Sequence, residues 1–438
     1  MTIKDLLSVA KGEVPADLLL TNAKIVNTLT AEIEQGNVAI CGDRIAGVGD
    51  YQHGKEIMDL GGKYLVPGLI NGHTHVESST LDIAQYAHAV VPRGTSAVVT
   101  DLHEIANVCG LKGIKYVMDY AQHLPLDLFL MAPSCVPATP LETSGALLNA
   151  DDIGEVLSWE NVIGLGEMMN FPGVLSGDEE VLRKIALFKD KIIDGHAPGL
   201  RGKGLQAYIS AGILSDHEST TFEEAREKLE RGMWVMIREG SSEKNLDALF
   251  PLITDKTYQR CFFVVDDRSC ADLLRDGDID AVVRKAIRKG LDPIRAIQMA
   301  TTNTATYFRL NGHGAVAPGH FANMLVTSDL STLDIDMALY RGELVARESE
   351  SLFSGSAPAD EGIRHTVNVR PFDVEALRIP AERWAHHVIE LIPDQILTRK
   401  LEAEAKVSQG YIVADTDRDI LKLAVVERHK ATGNIGLG

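Results

Sequence analysis

Two histidines that would share one face of a strand, His73 and His75 in Asn71-Gly72-His73-Thr74-His75, are the first residues whose types and spacing suggest chemistry. At positions i and i+2 of an extended segment, both imidazoles point to the same side. In the neutral form the two can hold a divalent ion and leave other coordination positions open. Further candidates stand at the ends of later apolar runs. Glu167 follows Val-Ile-Gly-Leu-Gly, where a carboxylate could bridge two ions. His196 in Asp-Gly-His-Ala-Pro-Gly and His217 in Ser-Asp-His-Glu-Ser each offer a nitrogen. Asp266 ends the last run, where it could bind metal and take a proton from water. Singly, each has a plain structural reading: a buried histidine with a satisfied hydrogen bond, or an acid capping the next helix. Recurrence at equivalent places favours a site.

The elements that must position these groups alternate in type. From about Leu65 to Leu310 the apolar runs are YLVPGLINGH, SAVVTD, DLFLMAPS, VIGLGE, IIDGH, GILSDH, MWVMIREG and CFFVVDD. Between them lie stretches with charged and apolar residues at three- and four-residue spacing, such as EEVLRKIALFKD, TFEEAREKLERG and IDAVVRKAIRKG. Strands alternating with helices predict a parallel sheet, and this many units predict a closed α/β fold, the (β/α)8 TIM-like barrel. Almost every run ends in polar or ionisable residues: His73 and His75, Asp101 with His103, Ser134, Glu167, His196, His217, Arg238 with Glu239, and Asp266. The C-terminal ends of barrel strands face a single mouth, so these side chains would meet there.

Outside this section the texture changes. Residues 1–64 carry short β-rich runs and are expected to form the N-terminal part of a small flanking β-sandwich. Residues 65–312 are expected to form the metal-binding barrel, and 313–350 to supply the return strands of the sandwich. Residues 351–438 open on a linker-like stretch, SLFSGSAPADEG, and continue as an incomplete C-terminal domain of mixed α/β character.

Of the 438 residues, 45% are hydrophobic and only 5% aromatic, which suits a scaffold packed with Val, Ile, Leu and Ala. No apolar run is long enough to span a membrane, and the N-terminus has charges where a signal peptide needs an apolar block. The net charge of −19 argues against binding nucleic acid through phosphate contacts. Cys41, Cys109, Cys135, Cys261 and Cys270 form no CxxC pair, which fits a reducing, cytoplasmic setting.

The stretches PGLINGHTHVESS, PRGTSAVVTDLHEIANV, PSCVPAT, GLGEMMNFPGV, DGHAPGL, AGILSDHES, MIREGSS and VDDRSCADLLRDGDID resemble the adenine deaminases of the amidohydrolase superfamily. The resemblance runs from about Ala16 to the C-terminus. HEIANV, DGHAPG and DHES in this order set it apart from the superfamily at large. It implies a dinuclear centre in which Glu167 bridges and His73, His75, His196, His217 and Asp266 complete the ligand set. Manganese or iron is implied ahead of zinc. His103 and Glu104 are expected beside the centre; His103, Arg238 and Glu239 are expected to position the substrate. The implied reaction is attack of metal-bound hydroxide on C6 of adenine, giving hypoxanthine and ammonia. Asp266 would accept and pass on the proton, and Glu218 or Glu104 would donate one to the ring. A small-molecule substrate and a homo-oligomer are expected, with neither nucleic acid nor membrane as partner.

Two departures from the family pattern stand out. Val265 occupies a position where a Thr is usual before the paired aspartates, which removes a hydroxyl and no ligand. The family also usually continues past the final HKATGNIGLG, so an incomplete C-terminal domain and weakened activity are expected. Competing readings are a hydrolase of another C–N bond, in another aminopurine or a cyclic amide, and a non-catalytic purine-binding protein. Many cyclic amidases bridge their metals through a carboxylated lysine, and no Lys follows Gly-Leu-Gly here.

Overall fold

The computed structural model describes residues 1–356, 360–382 and 385–438. Ala357, Pro358 and Ala359 of the expected linker, and Arg383 and Trp384, lie outside the described residues.

The barrel strands fall where the apolar runs do. Five form one parallel sheet: Leu69–Asn71, Thr95–Thr100, Asp127–Ala132, Val162–Met168 and Ile192–Gly195. Three form a second: Ser215–Asp216, Trp234–Arg238 and Cys261–Val264. Two seams close the ring. At one, the Leu214 amide donates to the Ile193 carbonyl at 3.0 Å. At the other, Thr74 bridges Asp266 in parallel and the Asp266 amide donates to the His73 carbonyl at 2.9 Å.

These strands are buried on both faces, which is why they read as continuous apolar runs and not as alternating ones. Their odd and even residues still divide. Val98, Leu130, Val235, Ile237 and Phe263 pack with the surrounding helices in the large outer core. Ala97, Val99, Met131, Met236, Phe262 and Val264 pack with one another in a separate inner cluster. The inner side chains fill the barrel, so chemistry is confined to its mouth. Helices start on side-chain caps that satisfy otherwise orphaned amides, as Asp178, Thr221 and Asp292 do.

The small flanking unit is built from both ends of the barrel. Ala16–Asn27, Glu32–Cys41, Arg44–Gly49, Gly54–Asp59 and Tyr64–Pro67 join Met324–Thr327, Ile335–Tyr340, Glu343–Arg347 and Glu350–Ser351 in one nine-stranded sheet. Tyr64–Pro67 pairs antiparallel with Met324–Thr327, so the chain enters and leaves the barrel through adjacent strands. The run YLVPGLINGH is thus shared: its first half belongs to this sheet and Leu69–Asn71 to the barrel. The break falls at Gly68, where an added Cβ would lie 2.4 Å from Ser96 Oγ. One face of the sheet packs Leu20, Ile25, Val38, Ile40 and Leu65, while Leu19, Ala39 and Cys41 face the N-terminal helix Ile3–Ala10.

The post-barrel segment, expected to mix helix and strand, holds strands and a 3-10 turn at Val374–Leu377, with no α-helix among the described residues. Its longest feature is an antiparallel hairpin of Ala385–Leu391 and Thr398–Glu404. Pro393 and Asp394, the latter at φ 60°, interrupt the sequence where a helix would have to continue. No helix among the described residues is long and apolar enough to cross a membrane.

Candidate active site

The ring of strand ends brings the expected ligands together. His73 and His75 follow the first strand, and Asp266 follows the eighth, directly across the closing seam. Asp266 adopts a left-handed backbone (φ 64°), a strained conformation for a residue with a side chain. Three hydrogen bonds hold it: its amide to the His73 carbonyl, and its own carbonyl accepting from Thr74 Oγ1 at 2.8 Å and the His75 amide at 3.4 Å. The turn aims Asp266 Oδ1 at His75 Nε2, 3.0 Å away, and at His73 Nε2, 3.6 Å away.

Glu167 lies at the centre. Its Oε1 is 3.4 Å from His75 Nε2, and its Oε2 is 3.1 Å from His217 Nε2 and bonded to His196 Nδ1. One carboxylate therefore faces both halves of the cluster, as a bridging ligand must. The donor atoms fall into overlapping groups: His73, His75 and Asp266; His73, Glu167 and His217; His75, Asp101, His103 and Glu167; and His196, His217 and Glu218.

Electrostatics fits a cation at this position. Burial pushes the Glu167 carboxyl up, but His196 and His217 beside it hold it well below the usual range. Burial likewise opposes ionisation of Asp266, and His73 and His75 outweigh it. His217 is drawn well above the ordinary imidazole value by Glu167 and Glu218 despite its burial. Carboxylates outside the reach of water demand positive charge among them. His73 Nε2 is buried, has no hydrogen-bond partner and faces the same centre, 3.6 Å from Asp266 Oδ1. The residues present fit a divalent ion.

Asp101 completes this arrangement, although the sequence marked it only as a polar strand end. It accepts from His75 Nδ1 at 3.0 Å and lies 3.1 Å from His103 Nδ1. An N–H fixed at Nδ1 turns the Nε2 lone pair of His75 toward Asp266 and Glu167. Gly166 makes room for it, since a Cβ there would stand 2.8 Å from the Asp101 Cβ. His103 and Glu104 lie where they were expected, beside the cluster. His103 Nδ1 is 3.3 Å from Glu167 Oε1, and the partly exposed Glu104 approaches His75 Nδ1 at 3.8 Å. Asp267, unmarked in the sequence, joins Glu104 through Ser78, which contacts both, and Glu77, also unmarked, accepts from the Ile105 amide at 3.2 Å. Burial and the neighbouring Glu104 push the Glu77 carboxyl up to about 8.

Two residues expected to meet the substrate are committed elsewhere. Arg238 is buried, and its guanidinium is shared among Glu218, Asp266 Oδ2 (2.7 Å) and Asn245. Glu239 turns away from the cluster: it bonds Lys285 Nζ at 2.7 Å and accepts from the Leu246 amide at 3.1 Å. The seventh strand ends as the sequence suggested, but its side chains brace the site. Glu218 is held below its ordinary value, because His217, His196 and Arg238 outweigh its burial.

A closed parallel barrel whose mouth gathers imidazoles and carboxylates around one point defines a metal-dependent hydrolase. Comparison with known proteins agrees. The amidohydrolase family model matches residues 64–355, and the adenine deaminase C-terminal domain model matches 395–438. An adenine deaminase of Dehalococcoides mccartyi is 59% identical over 436 residues, covering 100% of this chain and 76% of its own length. Adenine deaminase 2 of Carboxydothermus hydrogenoformans is 49% identical with the same coverage, 100% and 76%. Among solved structures, a beta-aspartyl dipeptidase from Fervidobacterium islandicum superposes with a TM-score of 0.58 at 17% identity, covering 77% of this chain and 98% of that one. An atrazine chlorohydrolase from Arthrobacter aurescens gives a TM-score of 0.58 at 12% identity, covering 77% and 97%. Both structures share the fold. The chain belongs to the adenine deaminases of the amidohydrolase family. Divalent-metal binding follows from that membership together with the donor cluster.

Proposed function

We propose that this chain hydrolyses adenine to hypoxanthine and ammonia at a two-metal centre held by His73, His75, Glu167, His196, His217 and Asp266. The observation that carries this reading is the set of overlapping donor groups that these residues form at the barrel mouth, in a chain 59% identical to an adenine deaminase over its whole length. The nitrogen and oxygen donors accept manganese, iron or zinc alike, and manganese or iron is chosen ahead of zinc on the family resemblance. When bound, divalent ions supply Lewis acidity and lower the pKa of a water to roughly 7.

The chain's own residues do the rest. Glu167, with one oxygen toward His75 and the other toward His217, would hold the ions between these donors. Asp101 fixes the tautomer of His75. Asp266, with Oδ2 tied to Arg238 and Oδ1 free toward the imidazoles, is placed to take the proton from the attacking water and return it to the departing amine. The C6–N bond then breaks to release ammonia and not amide anion. Glu104, partly exposed at the mouth, and Glu218, tied to Arg238, are the two carboxyls proposed to donate a proton to the ring. His103 stands beside Glu104 and forms part of the same wall. The free cysteines support a reducing, cytoplasmic setting.

The test is product analysis on the purified chain loaded with manganese. Hypoxanthine and ammonia forming in equal amounts, with turnover stopped by a chelator, is the expected result. A metal-loaded chain that leaves adenine intact and releases ammonia from another aminopurine would overturn the choice of substrate.

A further inference from the structure

The hairpin loop of the post-barrel segment reaches the barrel mouth and touches the site through an intermediary. Asn245, in the loop after the seventh strand, is fully buried, and its Oδ1 accepts from both Nε and Nη2 of Arg238 at 3.2 Å. A carboxamide can accept there only if its NH2 points the other way. On that other side Nδ2 donates to Gln395 Oε1 at 3.0 Å, across 150 positions of sequence. A flipped Asn245 would set its NH2 against a guanidinium, donor facing donor. The acceptor offered by Gln395 selects the productive orientation.

Neighbouring contacts lock this register. The Lys244 amide donates to the Asp394 carbonyl at 3.0 Å, and Lys244 Nζ lies 3.6 Å from Asp394 Oδ1. The Asn245 amide in turn donates to the Arg238 carbonyl at 3.0 Å. Two consecutive residues of the hairpin loop thus engage two consecutive residues of the barrel loop.

The consequence lies in Arg238. Its Nη1 takes Asp266 Oδ2 and leaves Oδ1 facing His73 and His75, and both of its terminal nitrogens hold Glu218. A guanidinium that moves carries the Asp266 carboxylate with it. We infer that Gln395 is a positioning residue of the active site: through Asn245 it fixes Arg238, and through Arg238 the presentation of Asp266 to metal and substrate. The post-barrel segment therefore completes the site. Gln395 itself touches none of the reacting atoms.

This inference rests on the metal-centre reading above, and its test uses the full chain as Gln395→Leu and Gln395→Glu. Leucine keeps the bulk and removes the acceptor, while glutamate keeps an acceptor for Asn245 Nδ2. In the leucine variant kcat for adenine should fall about tenfold, the scale of one lost buried hydrogen bond, with KM nearly unchanged. Manganese should also leave it several-fold faster under chelator competition. The glutamate variant should recover both properties. A leucine variant with wild-type kcat and wild-type metal retention would overturn the inference. So would a glutamate variant as impaired as leucine, with both melting lower, because that pattern marks a contact that only holds the segment down. If the wild-type chain does not turn over adenine, the substrate reading fails by itself, and metal retention in the variants still decides the role of Gln395.

Discussion

At the scale of single residues, the site depends on groups that aim the ligands as much as on the ligands. Asp101 shows this most directly. Its two oxygens serve His75 and His103, and it is held ionised against its burial by the two imidazoles. Asp101→Asn keeps the shape but can present an N–H to His75 Nδ1, which favours the wrong tautomer. Metal affinity should drop about 10- to 100-fold, the usual effect of losing such a partner, while the fold is unchanged. Metal competition on the variant beside the wild type measures it; equal affinities would assign Asp101 to packing alone. That His73, His75, Glu167, His196, His217 and Asp266 would lie together was legible because strand ends of a barrel share one mouth. The bracing roles of Arg238 and Glu239 were not, because Glu218 and Lys285 are brought beside them by packing of other elements and Asn245 by the course of the loop after the strand.

At the scale of elements, the loops that carry His196 and His217 hang on a buried ionic network. Lys228, with no solvent exposure, donates to Asp216 Oδ2 at 2.8 Å, Glu224 Oε1 at 2.7 Å and the Ala197 carbonyl at 2.9 Å. Asp216 and Glu224 pass the restraint on: Asp216 accepts from the Ala197 and Glu218 amides, and Glu224 from the Gly199 amide. Lys228→Met would leave Asp216 and Glu224 buried without their cation. The expected cost is about 3–5 kcal/mol of stability, together with loss of metal at the His196–His217 side. Denaturant unfolding with metal analysis checks both, and an unchanged midpoint would show that water replaces the ammonium freely. In the sequence this lysine looks like any charge on an amphipathic helix, TFEEAREKLERG. Helical periodicity shows which face a residue occupies, but whether that face lies over a solvent-free strand junction depends on packing. The strands were easier to read, since doubly buried parallel strands must be apolar throughout.

At the scale of the whole molecule, the two strands that join barrel and flanking sheet make the chain's entry and exit points one structure. Asp278 joins the first two barrel strands, accepting from Asn71 Nδ2 at 3.1 Å and Thr95 Oγ1 at 2.8 Å, while Asn71 Oδ1 reaches the end of the eighth and accepts from the Val265 amide at 3.3 Å. Burial raises its carboxyl from 3.8 to about 6. Because the folded value is the higher one, the stability contributed by the protonated form is complete below about pH 4 and is lost as pH rises through about 6. Asp278→Asn mimics the protonated acid. Relative to wild type, the variant should gain stability across that window, by at most roughly 3 kcal/mol at neutral pH. Denaturation of both chains at pH 4 and pH 7 measures the difference, and a gap that does not change with pH would contradict it. The post-barrel strands were the least legible part of the chain. Much of that segment is exposed, so hydrophobic patterning carries little signal there, and the contact proposed to steady Arg238 is made by a turn.

The most direct test of the central claim is to titrate the metal-free chain with manganese while following conversion of adenine to hypoxanthine, beside the Glu167→Ala variant. Activity of the wild type should rise until about two ions are bound per chain, as a bridged pair requires. The variant should remain folded, bind less metal and lose turnover by a factor of roughly a thousand or more. Full wild-type activity at one ion per chain, or a variant that keeps both its metals and its turnover, would contradict the bridged centre at Glu167.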